Sequence, residues 1–177
     1  MNELNIGTIE RRKKDLQDWF PKTYTHLEIP PVQRIRCLAL GCPSDGINAQ
    51  YQLAFLLLLK EKLGVSDVTV YDPIFQKDDL DLLRHYDLVV QKDHPDDNGT
   101  LWYIPHGPFS LVKELASGMS VYLGNDMVRF EPRVPVTAED DAKLEALRKS
   151  NIKALNVDKK DRWFTAMNDM ALHVTKS

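Results

Sequence analysis

The sequence predicts an α/β protein built on a mainly parallel central sheet, and three observations carry that expectation. From residue 35 onward, short apolar runs alternate with longer helical patterns, and strands separated by helices pair in parallel because each helix returns the chain to the same end of the sheet. Several of the short runs stop at a polar or glycine turn: Gly41, Asp72-Pro73 and Gly124-Asn125-Asp126. The chain has 177 residues, enough for one hydrophobic core and too few for two comfortable ones, since domains run about 100 to 200 residues.

Taken in order, residues 8–20 carry Ile9, Leu16, Trp19 and Phe20 at helical spacing beside the basic run Arg11-Arg12-Lys13-Lys14. They read as an amphipathic docking helix with a solvated basic face, stopped near Pro21. The stretch to Pro30-Pro31 reads as an extended connector. Residues 1–34 are thus an N-terminal helix and connector, and residues 35–177 the domain proper, one unit overall. Residues 35–40 form the first strand. Residues 47–63 form the longest helix, closed by Gly64 at the position that favours a left-handed cap. Residues 68–71 are a second strand, 77–85 a second helix and 88–91 a third strand; 92–100 is a polar surface loop and 101–104 a fourth strand. Pro105-His106-Gly107-Pro108 breaks the chain before a helix over 109–116 and a fifth strand over 120–123. A proline-bearing connector covers 129–136, and Thr137-Ala138-Glu139-Asp140 starts a helix over 138–149. Residues 152–157 suit another strand. The tail from 163 to 174 fits a helix through Trp163, Met167, Met170 and Val174 or a closing strand over 171–175. Strand and helix alternating in this way imply a Rossmann-like, three-layer arrangement.

The longest helix is apolar on nearly every face, from Tyr51 through Leu59, so it needs cover on two sides. The sheet supplies one. The N-terminal helix, the tail or a second subunit supplies the other, and an uncovered face would be an interaction surface.

Composition narrows the function classes. A formal net charge of -3 with interspersed signs gives no field that would draw the chain to nucleic acid or an acidic membrane. The longest apolar run, residues 53–59, is far short of the roughly 18 residues that cross a bilayer, and the N-terminus lacks a signal-peptide pattern, so a location inside the cell is expected. Cys37 and Cys42 are expected to lie about 15 Å apart, beyond the limit of about 7 Å for a disulfide.

In a parallel sheet, ligands bind where strand carboxyl ends meet the following helices. Gly41, Ser44, Asp45 and Asn48 lie between the first strand and helix, Asp72 ends the second strand, and His106 and Asn125-Asp126 follow the fourth and fifth. Glycine permits close backbone approach, Ser44 and Asn48 can bond a ligand or cap the helix, and Asp72 can accept from ribose hydroxyls. His106, held between prolines, is a candidate acid, base or ligand. Cys42 near a helix N-terminus is expected to have a lowered pKa. Pro43 stands where a dinucleotide site wants its second glycine, and Ile47 where a phosphate loop wants lysine. Those two classes are disfavoured, which leaves a small polar or adenosine-type ligand. No metal motif occurs. Asn168, Asp169 and His173 form a polar cluster in the tail, suited to core or capping hydrogen bonds, with placement beside the cleft as the alternative.

These residues resemble the sensitivity-to-red-light-reduced (SRR-like) domain family of plants, animals and fungi. The resemblance rests on CLALGCPSDGINAQYQLAFLLLLKEKLG, VTVYDPIF, WYIPHGP, VYLGND and MNDMALHV. The tail differs from the family's usual Phe-Asn-Asp-Thr-Ser run at Met167 and Met170-Ala171. The resemblance implies a Rossmann-like domain linked to circadian regulation and light signalling, cytoplasmic and also nuclear, without a set biochemical activity. It places the family's motif positions on Gly41, Ser44, Asp45, Gln52, Asp72, His106, Gly124, Asn125, Asn168 and Asp169. The favoured expectation is a regulatory binding protein for a small ligand, a protein partner or both, with the cofactor unknown. The alternatives are a transferase using S-adenosylmethionine or a nucleotide with His106 as base, and a scaffold that forms a homodimer through helix 47–63.

Overall fold

Period-two alternation in the strands divides the protein into two cores. The computed structural model describes residues 3–93, 98–130 and 135–176. Strands β1 (Arg34–Leu38), β2 (Asp67–Tyr71), β3 (Val89–Val90), β4 (Thr100–Ile104) and β5 (Val121–Asn125) run parallel. β7 (Met170–Val174) lies antiparallel to both β5 and β6 (Asn151–Ala154), giving the order β3-β2-β1-β4-β5-β7-β6. Ile35, Cys37, Val70, Leu101, Tyr103 and Leu123 join one core, while Leu38, Trp102, Ile104 and Tyr122 join the other.

The first core is covered by α1 (Glu3–Leu16), α2 (Trp19–Leu27), α3 (Ile47–Leu63) and α4 (Lys77–His85). The second lies under α5 (Phe109–Leu115) and α6 (Ala138–Arg148). Both bounds of α3 agree with the sequence reading, and Gly64 closes it at φ 67. Its second cover is the chain's own α1, whose Ile9 and Leu16 are fully buried. Tyr51 Oη donates to Asp15 at 2.7 Å and Arg12 Nε to Gln50 at 3.1 Å across that contact. Thr137 caps α6, accepting the Asp140 N–H at 3.1 Å.

Two elements differ from the sequence reading. The N-terminal segment is two helices rather than a helix and an extended connector, because Pro21 sits in the first turn of α2, where a helix needs no N–H donor. The tail holds both alternatives in succession, α7 (Phe164–Met167) and then β7. The loop over 92–100 and the connector over 129–136 each fall in part outside the described residues. Arg36, inside the apolar first strand, is fully buried and donates to the Gln91 and Lys92 carbonyls at 2.6 and 2.9 Å, so it ties β1 to the chain leaving β3. No helix among the described residues is long and apolar enough to cross a membrane.

Candidate functional site

The loop between β1 and α3 is shaped by two carboxylates from the neighbouring strand and helix. Ala39 and Gly41 turn the chain at φ 57 and 80. The Gly41 N–H donates to Asp72 Oδ2 at 2.9 Å, and Asp72 Oδ1 accepts the Ile74 N–H at 3.1 Å. The Ser44 N–H donates to Asp79 Oδ1 at 2.8 Å, while Asp79 Oδ2 accepts the Gln76 N–H at 2.9 Å. Asp79 is fully buried and was absent from the sequence reading. Its signal was the spacing Gln76 to Asp79 at a helix start, a capping-box pattern. Asp45 is exposed on the same loop and Asn48 in the first turn of α3. Partial burial, a hydrogen bond to Asp79 and the carboxylates of Asp72 and Asp45 push the Cys42 thiol up to about 11. That reverses the lowering expected from the helix N-terminus, because desolvation, joined by the Asp79 hydrogen bond and the nearby carboxylates, outweighs the helix dipole. Cys37 and Cys42 are both free.

His106 occupies the turn between β4 and α5 in the left-handed region, at φ 53. The following Gly107 cannot be larger without rearrangement, since a Cβ there would lie 2.4 Å from Ile104 Cγ2. His106 Nε2 donates to the Ala166 carbonyl at 3.0 Å, and Gln52 Nε2 donates to the same oxygen at 3.2 Å. One main-chain acceptor on α7 thus holds side chains from α3 and from the β4–α5 turn. A carbonyl only accepts, so the His106 proton sits on Nε2, and Nδ1 forms no hydrogen bond among the described residues.

Asn125, at the end of β5, donates from Nδ2 to the Gly107 carbonyl at 2.9 Å and is 6% exposed. The Asp126 N–H donates to the Asp169 carbonyl at 2.9 Å, and its Oδ1 accepts the Val128 N–H at 3.1 Å. Asn168 Nδ2 donates to Asp169 Oδ2 at 3.1 Å, and Asp169 is itself left-handed at φ 59. His173 is fully buried and stacked on Tyr122. Its Nε2 accepts the Met127 N–H at 3.1 Å, so the proton lies on Nδ1, facing the Ala171 carbonyl at 3.1 Å. Burial lowers its pKa below the ordinary 6.5. It is a core histidine that secures the turn after β5.

Three cavities of about 680, 420 and 300 Å³ meet at His106. The largest is walled by Phe109, Lys113, Asn125, Phe130 and Asp140. The second lies over Gly41, Asp45, Asn48 and Gln52, and the third against Asn125, Asp126 and Asp169. Asp72 faces a separate apolar cavity of about 440 Å³ beside Leu38, Tyr71 and Leu111. Ser44, Gly124 and Asn168 line none of these four. Ala39, His106 and Asp169, three of the five non-glycine residues with positive φ among the described residues, border this junction. Such backbone strain persists only where the surroundings enforce it, and it gathers at functional sites. Among the described residues, no group of three His, Cys, Asp or Glu side chains is arranged to hold a metal.

The family model described as the SRR1 domain matches residues 9–174, from within α1 to the end of β7 and so across the whole rim. The chain belongs to the SRR1 domain family. An SRR1-like protein of Drosophila melanogaster is 32% identical over 90 residues, covering 48% of this chain and 33% of that relative. The match therefore spans a third of the curated relative's length. No solved structure gives a significant match. Within this SRR1 domain, the strand ends bring Gly41, Asp45, Asn48, Gln52, His106, Asn125, Asp126 and Asp169 to one rim and direct Asp72 to another cavity.

Proposed function

We propose that this SRR1 domain is a regulatory, Rossmann-like binding module that takes a small polar ligand at the His106 rim. It acts in the cytoplasm and the nucleus, in line with the circadian and light-signalling links that the resemblance implies. The strand order β3-β2-β1-β4-β5 supports the Rossmann-like reading. The observation that carries the ligand reading is the convergence of three cavities on one left-handed histidine whose second ring nitrogen is free to accept. An adenosine-type ligand remains within this reading. Its ribose would have to share Asp72 with the Gly41 and Ile74 amides. A homodimer through α3 is the less favoured reading, because α1 packs on much of the leucine-rich helix.

Thermal-shift screening of a metabolite library against wild type and His106→Ala tests the proposal. A ligand that stabilises wild type and not the variant supports it. Equal shifts for both proteins remove His106 from the site. The protonation pattern of His106 favours a second reading, a transferase using S-adenosylmethionine or a nucleotide. With Nε2–H oriented by the Ala166 carbonyl, Nδ1 is set to take a proton as base. Turnover that survives His106→Gln counts against it.

A further inference from the structure

We infer that the joined cavities beside His106 and Asn125 take an unphosphorylated ligand that presents hydrogen-bond donors from a planar ring, the class of amino-heteroaromatics and their nucleosides. This rests on the ligand reading of the rim and narrows it. The cavities of about 680 and 300 Å³ share His106, Asn125 and Phe130, and each lies near the size range of small-molecule sites.

The polar atoms presented there are mainly acceptors. Asn125 is 6% exposed and lines both cavities, its Nδ2 is engaged with the Gly107 carbonyl, and its Oδ1 accepts nothing among the described residues. That oxygen is open to the cavity, where a donor on a ligand takes the place of water. With Nε2 turned to the Ala166 carbonyl, His106 leaves Nδ1 as a second site that accepts when the ring carries one proton. The charges point the same way. Among the described residues, the lining holds three carboxylates, Asp126, Asp140 and Asp169, against two cations, Lys113 and Arg129. Each cation already faces a carboxylate, Lys113 with Asp140 at 3.3 Å and Arg129 with Asp126 at 3.9 Å. A phosphate would add negative charge beside Asp169, and among the described residues of the lining each cation already faces a carboxylate. The rings of Phe109 and Phe130 lie 10° from parallel with centroids 6.1 Å apart, an aromatic wall against which a planar ring stacks.

Calorimetry with adenine, adenosine and adenosine 5′-monophosphate decides it. Adenosine binds wild type and the monophosphate binds at least about tenfold more weakly, the effect of placing like charges at close range. Asp126→Asn with Asp169→Asn narrows that ratio. Asp169→Asn alone serves as the second variant, since Asp169 is exposed at φ 59 and asparagine tolerates the left-handed region. Equal or tighter binding of the monophosphate, lost in His106→Ala, overturns the inference and leaves the ligand reading standing. A ratio unchanged in both variants also overturns it. No heat from any of the three, with no stabilising ligand in the wider library, brings down both.

Discussion

The resemblance places a motif position on Gly124, yet this glycine lines none of the cavities described, and its requirement is steric. A Cβ built there would lie 2.4 Å from Tyr122 Oη, 2.5 Å from Tyr122 Cε2 and 2.6 Å from the Ile104 carbonyl oxygen. The tyrosine is fully buried and stacked on His173, so its ring has little room to retreat. The Ile104 oxygen belongs to the neighbouring strand and cannot move without parting β4 from β5. Overpacking a core costs about 1 to 3 kcal/mol, and a main-chain contact puts Gly124→Ala at the upper end, about 3 kcal/mol. For a domain of this size that corresponds to a fall in Tm of about 6 to 12 °C. Equilibrium urea unfolding reads it as a lower midpoint with an unchanged slope. Gly64→Ala is the control. Nothing lies within 4 Å of its Cβ position, and its φ is 67, so it carries backbone strain alone and costs about 1 kcal/mol. Tyr122→Leu restores only part of the Gly124→Ala loss, because the Ile104 oxygen remains. A Gly124→Ala protein within about 0.5 kcal/mol of wild type would refute the steric reasoning and return Gly124 to the list of ligand-facing residues.

Three further outcomes follow from the hydrogen-bond geometry. His173 has a folded pKa below its ordinary 6.5, so the unfolded chain binds the proton first: stability from this residue is full above about pH 6.5 and falls below it, by up to about 1.4 kcal/mol per pH unit. Denaturation at pH 7.5 and 5.5 shows that loss in wild type and a smaller one in His173→Asn; equal losses contradict the assignment. Asp79→Ala leaves the Ser44 and Gln76 amides without their acceptor, costs about 3 kcal/mol and speeds hydrogen exchange at Ser44, whereas unchanged exchange there contradicts the role of Asp79. Cys42, with its thiol pKa pushed up to about 11, alkylates with iodoacetamide at pH 8 more slowly than a free cysteine, and a rate equal to or above that reference is the contrary result.

Features that depend on near neighbours in the chain could be read before any fold was known. Helix α3 and its Gly64 cap, the Thr137 cap of α6 and the bounds of α4 agree with the sequence reading because caps and periodicity relate residues about four apart. The clustering of polar residues at strand ends was legible for the same reason: once strands and helices alternate, the ends of parallel strands share one edge. Pro21 misled because a proline that stops one helix is equally at home in the first turn of another. Asp79 escaped notice because acidic residues are common in a first helical turn, and only burial distinguishes the one that reaches across to Ser44.

What the residues alone determined, then, was which segments from β1 to α6 are strand or helix and which polar side chains stand at their ends. Tertiary structure decided the partners. His106 and Gln52 meet on the Ala166 carbonyl from 60 and 114 residues away, and a main-chain oxygen is the same at every position, so no residue type announces it. The direction of β7 and the enclosure of α3 by α1 were likewise open until the chain was folded, because periodicity shows which face of an element is apolar and not what comes to cover it.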